Sequence, residues 1–167
     1  MALATVDSGG RPSVRMVLLK GFDRRGFLFF TNYESRKAKE LASNAEAAVA
    51  LYWPTLHRQV RAAGPVSRAS QQESELYFGT RPRQAQLAAW ASRQSDVIDS
   101  RDVLENRYRE LEEQFAGREV GLPPFWGGLR LAARVFELWQ GRENRLHDRF
   151  RYSLDAAGDW VIERLAP

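Results

Sequence analysis

The sequence predicts an α+β fold built on a mainly antiparallel sheet. Three observations lead there. Short β-prone runs occupy both ends of the chain, helical patterns occupy the middle, and tight turns join the runs. At 167 residues the chain is long enough to bury a core without disulfide staples, so one domain over residues 1–167 is expected.

The elements follow in order. Ala2–Val6 is a short β-prone run, and Asp7-Ser8-Gly9-Gly10 is a turn in which Gly can take positive φ without steric cost. Ser13–Phe22 reads as one continuous strand. Asp23-Arg24-Arg25-Gly26 closes a hairpin onto Phe27–Thr31. Ser35 is placed to N-cap a helix reaching Ser43. Ala47–Trp53 and Gln59–Ser67 are two further strands. Helices follow over Ser70–Gly79, Pro82–Ser92 and Ser100–Phe115. In the last, Leu104, Tyr108, Leu111 and Phe115 fall on one face at spacings of four, three and four. Leu129–Trp139 reads as one strand, and Tyr152–Leu165 as a hairpin across Asp155–Asp159.

Composition excludes several classes. There is no cysteine, which removes thiolate metal sites and thiol nucleophiles, and the two histidines, His57 and His147, do not suggest a metal centre. No apolar run approaches the roughly 18 residues of a membrane span. The segment Met1–Val6 has neither a basic region nor a long apolar core, so no signal peptide is expected and a cytoplasmic location is. G-x-G-x-x-G, G-x-x-x-x-G-K-[ST], H-E-x-x-H and G-x-S-x-G are all absent. The 25 basic residues comprise 22 arginines and three lysines. This fits either codon bias or a use of guanidinium forks on phosphate and carboxylate groups. They are spread along the chain, so nucleic acid is not the expected partner.

Four segments concentrate chemistry. In Thr31-Asn32-Tyr33-Glu34-Ser35-Arg36-Lys37, two cations occupy the first helical turn, where the dipole is already positive. An anion held by the helix N-terminus, the Thr31 and Ser35 hydroxyls, Arg36 and Lys37 would remove the conflict; solvated cations would also tolerate it. In Arg15–Lys20, strand alternation puts Arg15, Val17 and Leu19 on one face and Met16, Leu18 and Lys20 on the other. Tyr77–Arg83 sets two arginines beside a helix start. Trp139–Arg149 packs three arginines, a histidine and a tryptophan into eleven residues after a strand. Within it, an extended Arg145-Leu146-His147 would turn Arg145 and His147 to one side.

Together these segments resemble the pyridoxine/pyridoxamine 5'-phosphate oxidase family. The resemblance rests on R-M-V-L-L-K at Arg15–Lys20, F-T-N-Y-E-S-R-K-A at Phe30–Ala38 and R-Q-V-R at Arg58–Arg61. It continues through Y-F-G-T-R-P-R at Tyr77–Arg83, A-W-A-S-R-Q-S at Ala89–Ser95 and F-W-G-G at Phe125–Gly128. It ends with W-Q-G-R-E-N-R-L-H-D-R-F at Trp139–Phe150 and E-R-L-A-P at Glu163–Pro167. It implies an FMN-binding split β-barrel and a homodimer with flavin sites at the subunit interface. It also implies oxidation of pyridoxamine or pyridoxine 5'-phosphate by O2 to pyridoxal 5'-phosphate and H2O2. FMN would be held by Arg15, Met16, Val17, Leu18, Leu19, Lys20, Phe30, Thr31, Arg36, Lys37, Gln59, Gln94, Ser95, Trp139 and Arg149. The substrate phosphate would meet Lys20, Tyr77 and Arg81, and Arg145 and His147 would flank its ring as the catalytic pair. No metal and no protein nucleophile are required.

Two departures stand out. Four residues after Arg81 the family usually carries Ser, and here stands Ala85. That removes one hydrogen bond to a charged group, worth about 1.5–3 kcal/mol unless replaced. The family also has an N-terminal extension of several tens of residues, part of which approaches the substrate; this sequence opens at the first strand, so either its start is truncated or the arm is missing, which bears on substrate closure and not on FMN binding. Two alternatives remain: a related flavin oxidase of the phenazine type, which Ala85 favours, and a non-catalytic FMN or pyridoxal-phosphate binding protein. Arg145 and His147 favour the B6 enzyme.

Overall fold

The computed structural model describes residues 1–167 and divides them into two compact units. The first comprises Met1–Phe29, Glu40–Ser67 and Arg130–Pro167. The second comprises Phe30–Lys39 and Arg68–Leu129.

The first unit is a sheet. Its strands are β1 (Ala2–Val6), β2 (Pro12–Met16), β3 (Gly21–Asp23), the start of β4 (Gly26–Asn32), β5 (Glu46–Trp53), β6 (Arg58–Arg68), the end of β7 (Trp126–Leu131), β8 (Val135–Gln140), β9 (Asp148–Leu154) and β10 (Trp160–Arg164). The order β10-β9-β8-β6-β5-β1-β2 is antiparallel throughout. The sheet is open: that path ends at β2 and β10, and a branch from β6 through β7 and β4 ends at β3. Leu3 of β1 lies opposite Val49 of β5, and both are buried. Removing such a side chain from water stabilises by about 1.5–3 kcal/mol.

Two expected strands are each split in two. The run Ser13–Phe22 stays paired with the first strand as far as Val17, whose N–H donates to the Met1 carbonyl and whose carbonyl accepts from the Met1 amino group. The Lys20 N–H then donates to Leu28 of β4, so the chain has changed partner. The run Leu129–Trp139 breaks over Ala132–Arg134, where the Ala132 and Arg134 N–H groups donate to Pro65 and Ala63. Between those two acceptors lies Gly64, whose absent Cβ would sit 2.2 Å from the Ala132 carbonyl oxygen. Apolar periodicity continues across both breaks, so it did not reveal them.

The second unit is mainly helical: the first turn of α1 (Arg36–Ser43), α2 (Gln71–Gly79), α3 (Arg83–Ala91) and α4 (Arg101–Gln114). Ser70 caps α2 in a capping box with Glu73. Phe78, Leu87, Ala89, Val120 and Trp126 form the core, and Tyr108, Leu111 and Phe115 of the expected α4 face pack on it. Leu104 of that face stays partly exposed.

Candidate functional site

The start of α1 is built as a polar cluster. Lys37 does not extend into solvent. Its Nζ donates to Thr31 Oγ1 (2.9 Å), Ser35 Oγ (3.2 Å) and Gln94 Oε1 (2.9 Å). Ser35 occupies the position preceding the helix, as expected, yet its hydroxyl donates to the Asn32 carbonyl at 2.7 Å. The Arg36 N–H donates instead to Ser95 Oγ at 3.2 Å, and Ser95 sits at φ 80, an uncommon conformation for a residue with a side chain. Five of the expected anion-binding and flavin-contacting residues, Thr31, Arg36, Lys37, Gln94 and Ser95, are therefore brought together. A helix N-terminus, hydroxyls and two cations form a set of donors suited to a phosphate group.

An aromatic stack lies elsewhere in the same unit. Phe30, Tyr77 and Trp126 are nearly parallel, with Phe30–Tyr77 centroids 4.0 Å apart and Phe30–Trp126 centroids 5.4 Å apart. The Arg81 guanidinium rests over Trp126 at 4.8 Å. Its Nη1 is buried and has no hydrogen-bond partner, and burial lowers the Arg81 pKa from the usual arginine value. A buried donor without an acceptor costs about 1–3 kcal/mol, more when charged. An anionic ligand oxygen would relieve that cost. The sequence marked Tyr77 and Arg81 but gave Trp126 no role, although it stands in the quoted F-W-G-G.

In the first unit the alternation of Arg15–Lys20 is as expected: Arg15, Val17 and Leu19 are half-buried, while Met16, Leu18 and Lys20 are exposed. Arg15 turns inward. Its guanidinium donates to Glu40 Oε2 (3.0 Å), Ser13 Oγ (2.5 Å) and Thr5 Oγ1. Glu40 is buried and accepts also from Thr5 and Ser13. Sequence reasoning missed Glu40; the available signal was an acid beside Leu41 and Ala38 on the apolar side of α1.

Gln59, Trp139 and Arg149 lie directly opposite one another on β6, β8 and β9, so they share one face of the sheet. Arg149 Nε donates to Glu137 (2.9 Å) and Nη1 to the Ala166 carbonyl (2.8 Å). The Arg149 guanidinium in turn holds the Glu137 carboxyl below its ordinary pKa. After β8 the chain forms a pocket of about 750 Å3 lined by His57, Trp139, Gly141, Arg142, Glu143 and His147. The Trp139 and His147 rings are 4.8 Å apart. Arg145-Leu146-His147 is not extended. Asn144 and Arg145 are both left-handed, at φ 54 and φ 61, within a 3-10 turn, so period-two alternation does not apply. Arg145 is exposed, and His147 is half-buried in the pocket wall.

Residues 1–115 match the family model described as pyridoxamine 5'-phosphate oxidase. Residues 126–167 match the model described as the pyridoxine 5'-phosphate oxidase C-terminal dimerisation region. The chain belongs to the pyridoxine/pyridoxamine 5'-phosphate oxidase family. A family member from Rubrobacter xylanophilus is 55% identical over the whole chain and 76% of its own length. One from Nostoc punctiforme is 54% identical, over 78% of its length. Among solved structures, PhzG from Burkholderia lata, in complex with tetrahydrophenazine-1-carboxylic acid, aligns with a TM-score of 0.93 at 33% identity. That alignment covers 99% of this chain and 81% of PhzG. A pyridoxamine 5'-phosphate oxidase-related, FMN-binding protein from Nostoc punctiforme aligns with a TM-score of 0.78 at 20% identity, over 99% and 86% of the two chains, and shares the fold. The architecture is thus the split barrel that the resemblance implied. No helix is long and apolar enough to cross a membrane.

Proposed function

We propose that this chain is an FMN-dependent oxidase that converts pyridoxamine or pyridoxine 5'-phosphate to pyridoxal 5'-phosphate, with O2 as acceptor and H2O2 as by-product. The observation that carries this reading is the unpaired Arg81 Nη1, buried on an aromatic stack beside Tyr77. A buried cationic donor with no acceptor among the protein's own groups is suited to an anionic group such as the substrate phosphate. The cluster around Lys37 supplies a second, separate anion grip, which suits the FMN phosphate.

FMN, when bound, supplies the two-electron oxidation and the reaction with O2. The chain's own residues bind and orient. Thr31, Arg36, Lys37, Gln94 and Ser95 hold the cofactor phosphate. Arg15 to Lys20, Phe30, Gln59, Trp139 and Arg149 are assigned to the rest of the cofactor, and Lys20, Tyr77 and Arg81 to the substrate phosphate. Arg145 and His147 bind the substrate ring, with Arg145 stabilising an anionic ring oxygen. Holding the reacting groups in fixed geometry is the main contribution that such a protein makes.

The assembly is proposed to be a homodimer. Its support is the match of residues 126–167 to a dimerisation region, together with Val14, Met16 and Leu18. These three apolar side chains are at least 70% exposed at or just beyond the end strand β2. The location is proposed to be the cytoplasm.

The deciding experiment is a visible spectrum of the purified protein, followed by addition of pyridoxamine 5'-phosphate in air. A flavin spectrum with formation of pyridoxal 5'-phosphate and H2O2 is expected. A protein that takes up no FMN on titration would refute the reading. A second reading, oxidation of a phenazine precursor, is favoured by the likeness to PhzG and by Ala85 in place of Ser. It predicts turnover of such a precursor and none of the B6 phosphates. A flavin-binding protein that turns over neither would be a carrier.

A further inference from the structure

The loop from Gly141 to Asp148 fixes the proton on a histidine ring. The Arg142 backbone N–H donates to His147 Nδ1 at 3.1 Å. A ring nitrogen that accepts a hydrogen bond carries its lone pair there, so the neutral ring bears its proton on Nε2. Neutral His147, which lines the pocket, is therefore a donor at Nε2.

Local preference does not account for this loop. Asn144 and Arg145 occupy left-handed conformations in succession, and such positions persist only where the surroundings over-determine them. Three ties do so. The Gly141 N–H donates to the His57 carbonyl at 2.7 Å. The Leu146 N–H donates to the Glu143 carbonyl at 3.1 Å. The third tie is a side chain: Arg142 Nε donates to Asp148 Oδ2 at 2.8 Å. Asp148 is itself immobilised, because Arg164 Nη1 donates to its other oxygen at 2.8 Å and its backbone pairs with Gln140. The two arginines hold Asp148 below the usual carboxylate range, so it stays charged near neutrality.

We propose that Asp148 is a positioning residue for His147. Acting through Arg142, it keeps the backbone amide on Nδ1 and presents Nε2–H to the substrate. The group recognised is then a hydrogen-bond acceptor, such as an anionic ring oxygen. His147 orients the ring and stabilises negative charge on it; it does not take a proton from the substrate through Nε2. The inference rests on the reading of this pocket as the substrate pocket.

The test combines two readouts on the purified full chain. The first is long-range 1H–15N NMR of the imidazole rings without substrate, at pH about 8.5, well above the ordinary histidine pKa of about 6.5. With only two histidines, His147→Ala assigns the signals. Wild type is expected to show a single Nε2–H form at His147. Asp148→Ala is expected to shift those signals toward a tautomer average, and Asp148→Glu to restore them in part. The second readout is kcat/KM at equal flavin content. Asp148→Ala should lose about ten-fold, equivalent to about 1.4 kcal/mol. In a His147→Ala background the same change should have no further effect, because Asp148 acts through that ring. Either an Nδ1–H form in wild type or unchanged ring signals in Asp148→Ala overturns the inference. So does an additive loss in the double variant, which marks a merely structural role. If the ring signals change as expected but His147→Ala turns over at the wild-type rate, the substrate assignment fails and the positioning link stands.

Discussion

Replacing Arg81 by Met separates ligand binding from folding. Without a ligand, the side chain has two opposing effects. Its guanidinium gains a cation–π contact with Trp126 at 4.8 Å, worth about 0.5–2 kcal/mol. Against this, Nη1 is buried with no acceptor, at a cost of about 1–3 kcal/mol. Methionine keeps an unbranched apolar stem against the ring and removes the unsatisfied donor. The two effects oppose each other, so the net change in stability of the ligand-free protein should lie between a loss of about 1 kcal/mol and a gain of about 2.5 kcal/mol. Binding of a phosphorylated ligand should suffer more. Loss of a charge-assisted hydrogen bond costs about 1.5–3 kcal/mol, or roughly ten- to a hundred-fold in Kd. The assay is a titration of pyridoxal 5'-phosphate into wild type and Arg81→Met, with thermal unfolding of both proteins run without ligand. A collapse in Tm with unchanged affinity would show that Arg81 serves the fold and that its bare nitrogen has no part in recognition.

Three further outcomes follow from the same geometry. Arg36 is exposed, so Arg36→Ala should leave the Tm of the ligand-free chain unchanged and raise the Kd for FMN by about ten-fold or more, as read by flavin fluorescence titration. Gly26 sits at φ +122, with an added Cβ only 1.9 Å from the Leu131 carbonyl oxygen; Gly26→Ala should therefore destabilise by more than about 3 kcal/mol, measured by denaturant unfolding. The Glu137 pKa is depressed from 4.5 by its bond with Arg149, so its contribution to stability is present above that value and disappears as pH falls through the folded pKa. Melting curves of wild type and Glu137→Gln should thus differ near neutrality and converge in acid.

Much of the architecture was legible in the sequence because it is governed by near neighbours along the chain. Gly9 and Gly10 allowed the first turn to be placed, the helix expected from Ser70 is α2, and the spacing of Tyr108, Leu111 and Phe115 identified the packed face of α4. The cationic first turn of α1 drew attention to a segment that folds as a polar cluster, and the order of motifs identified the family. What escaped depends on partners distant in sequence. Apolar alternation runs on through Val17–Lys20 and Ala132–Arg134, because periodicity records which face is buried and not which strand accepts the hydrogen bonds. Ser95, not the adjacent Ser35, bonds the Arg36 amide, and Glu40 holds Arg15 from 25 residues away. The left-handed pair Asn144–Arg145 turned an expected extended segment into a tied loop. Arg81 was named from its motif, but its unpaired nitrogen emerged only when Trp126 and its neighbours had closed around it. Desolvation is a property of the packed fold, so a donor that water satisfies in the open chain becomes unsatisfied only in the folded one.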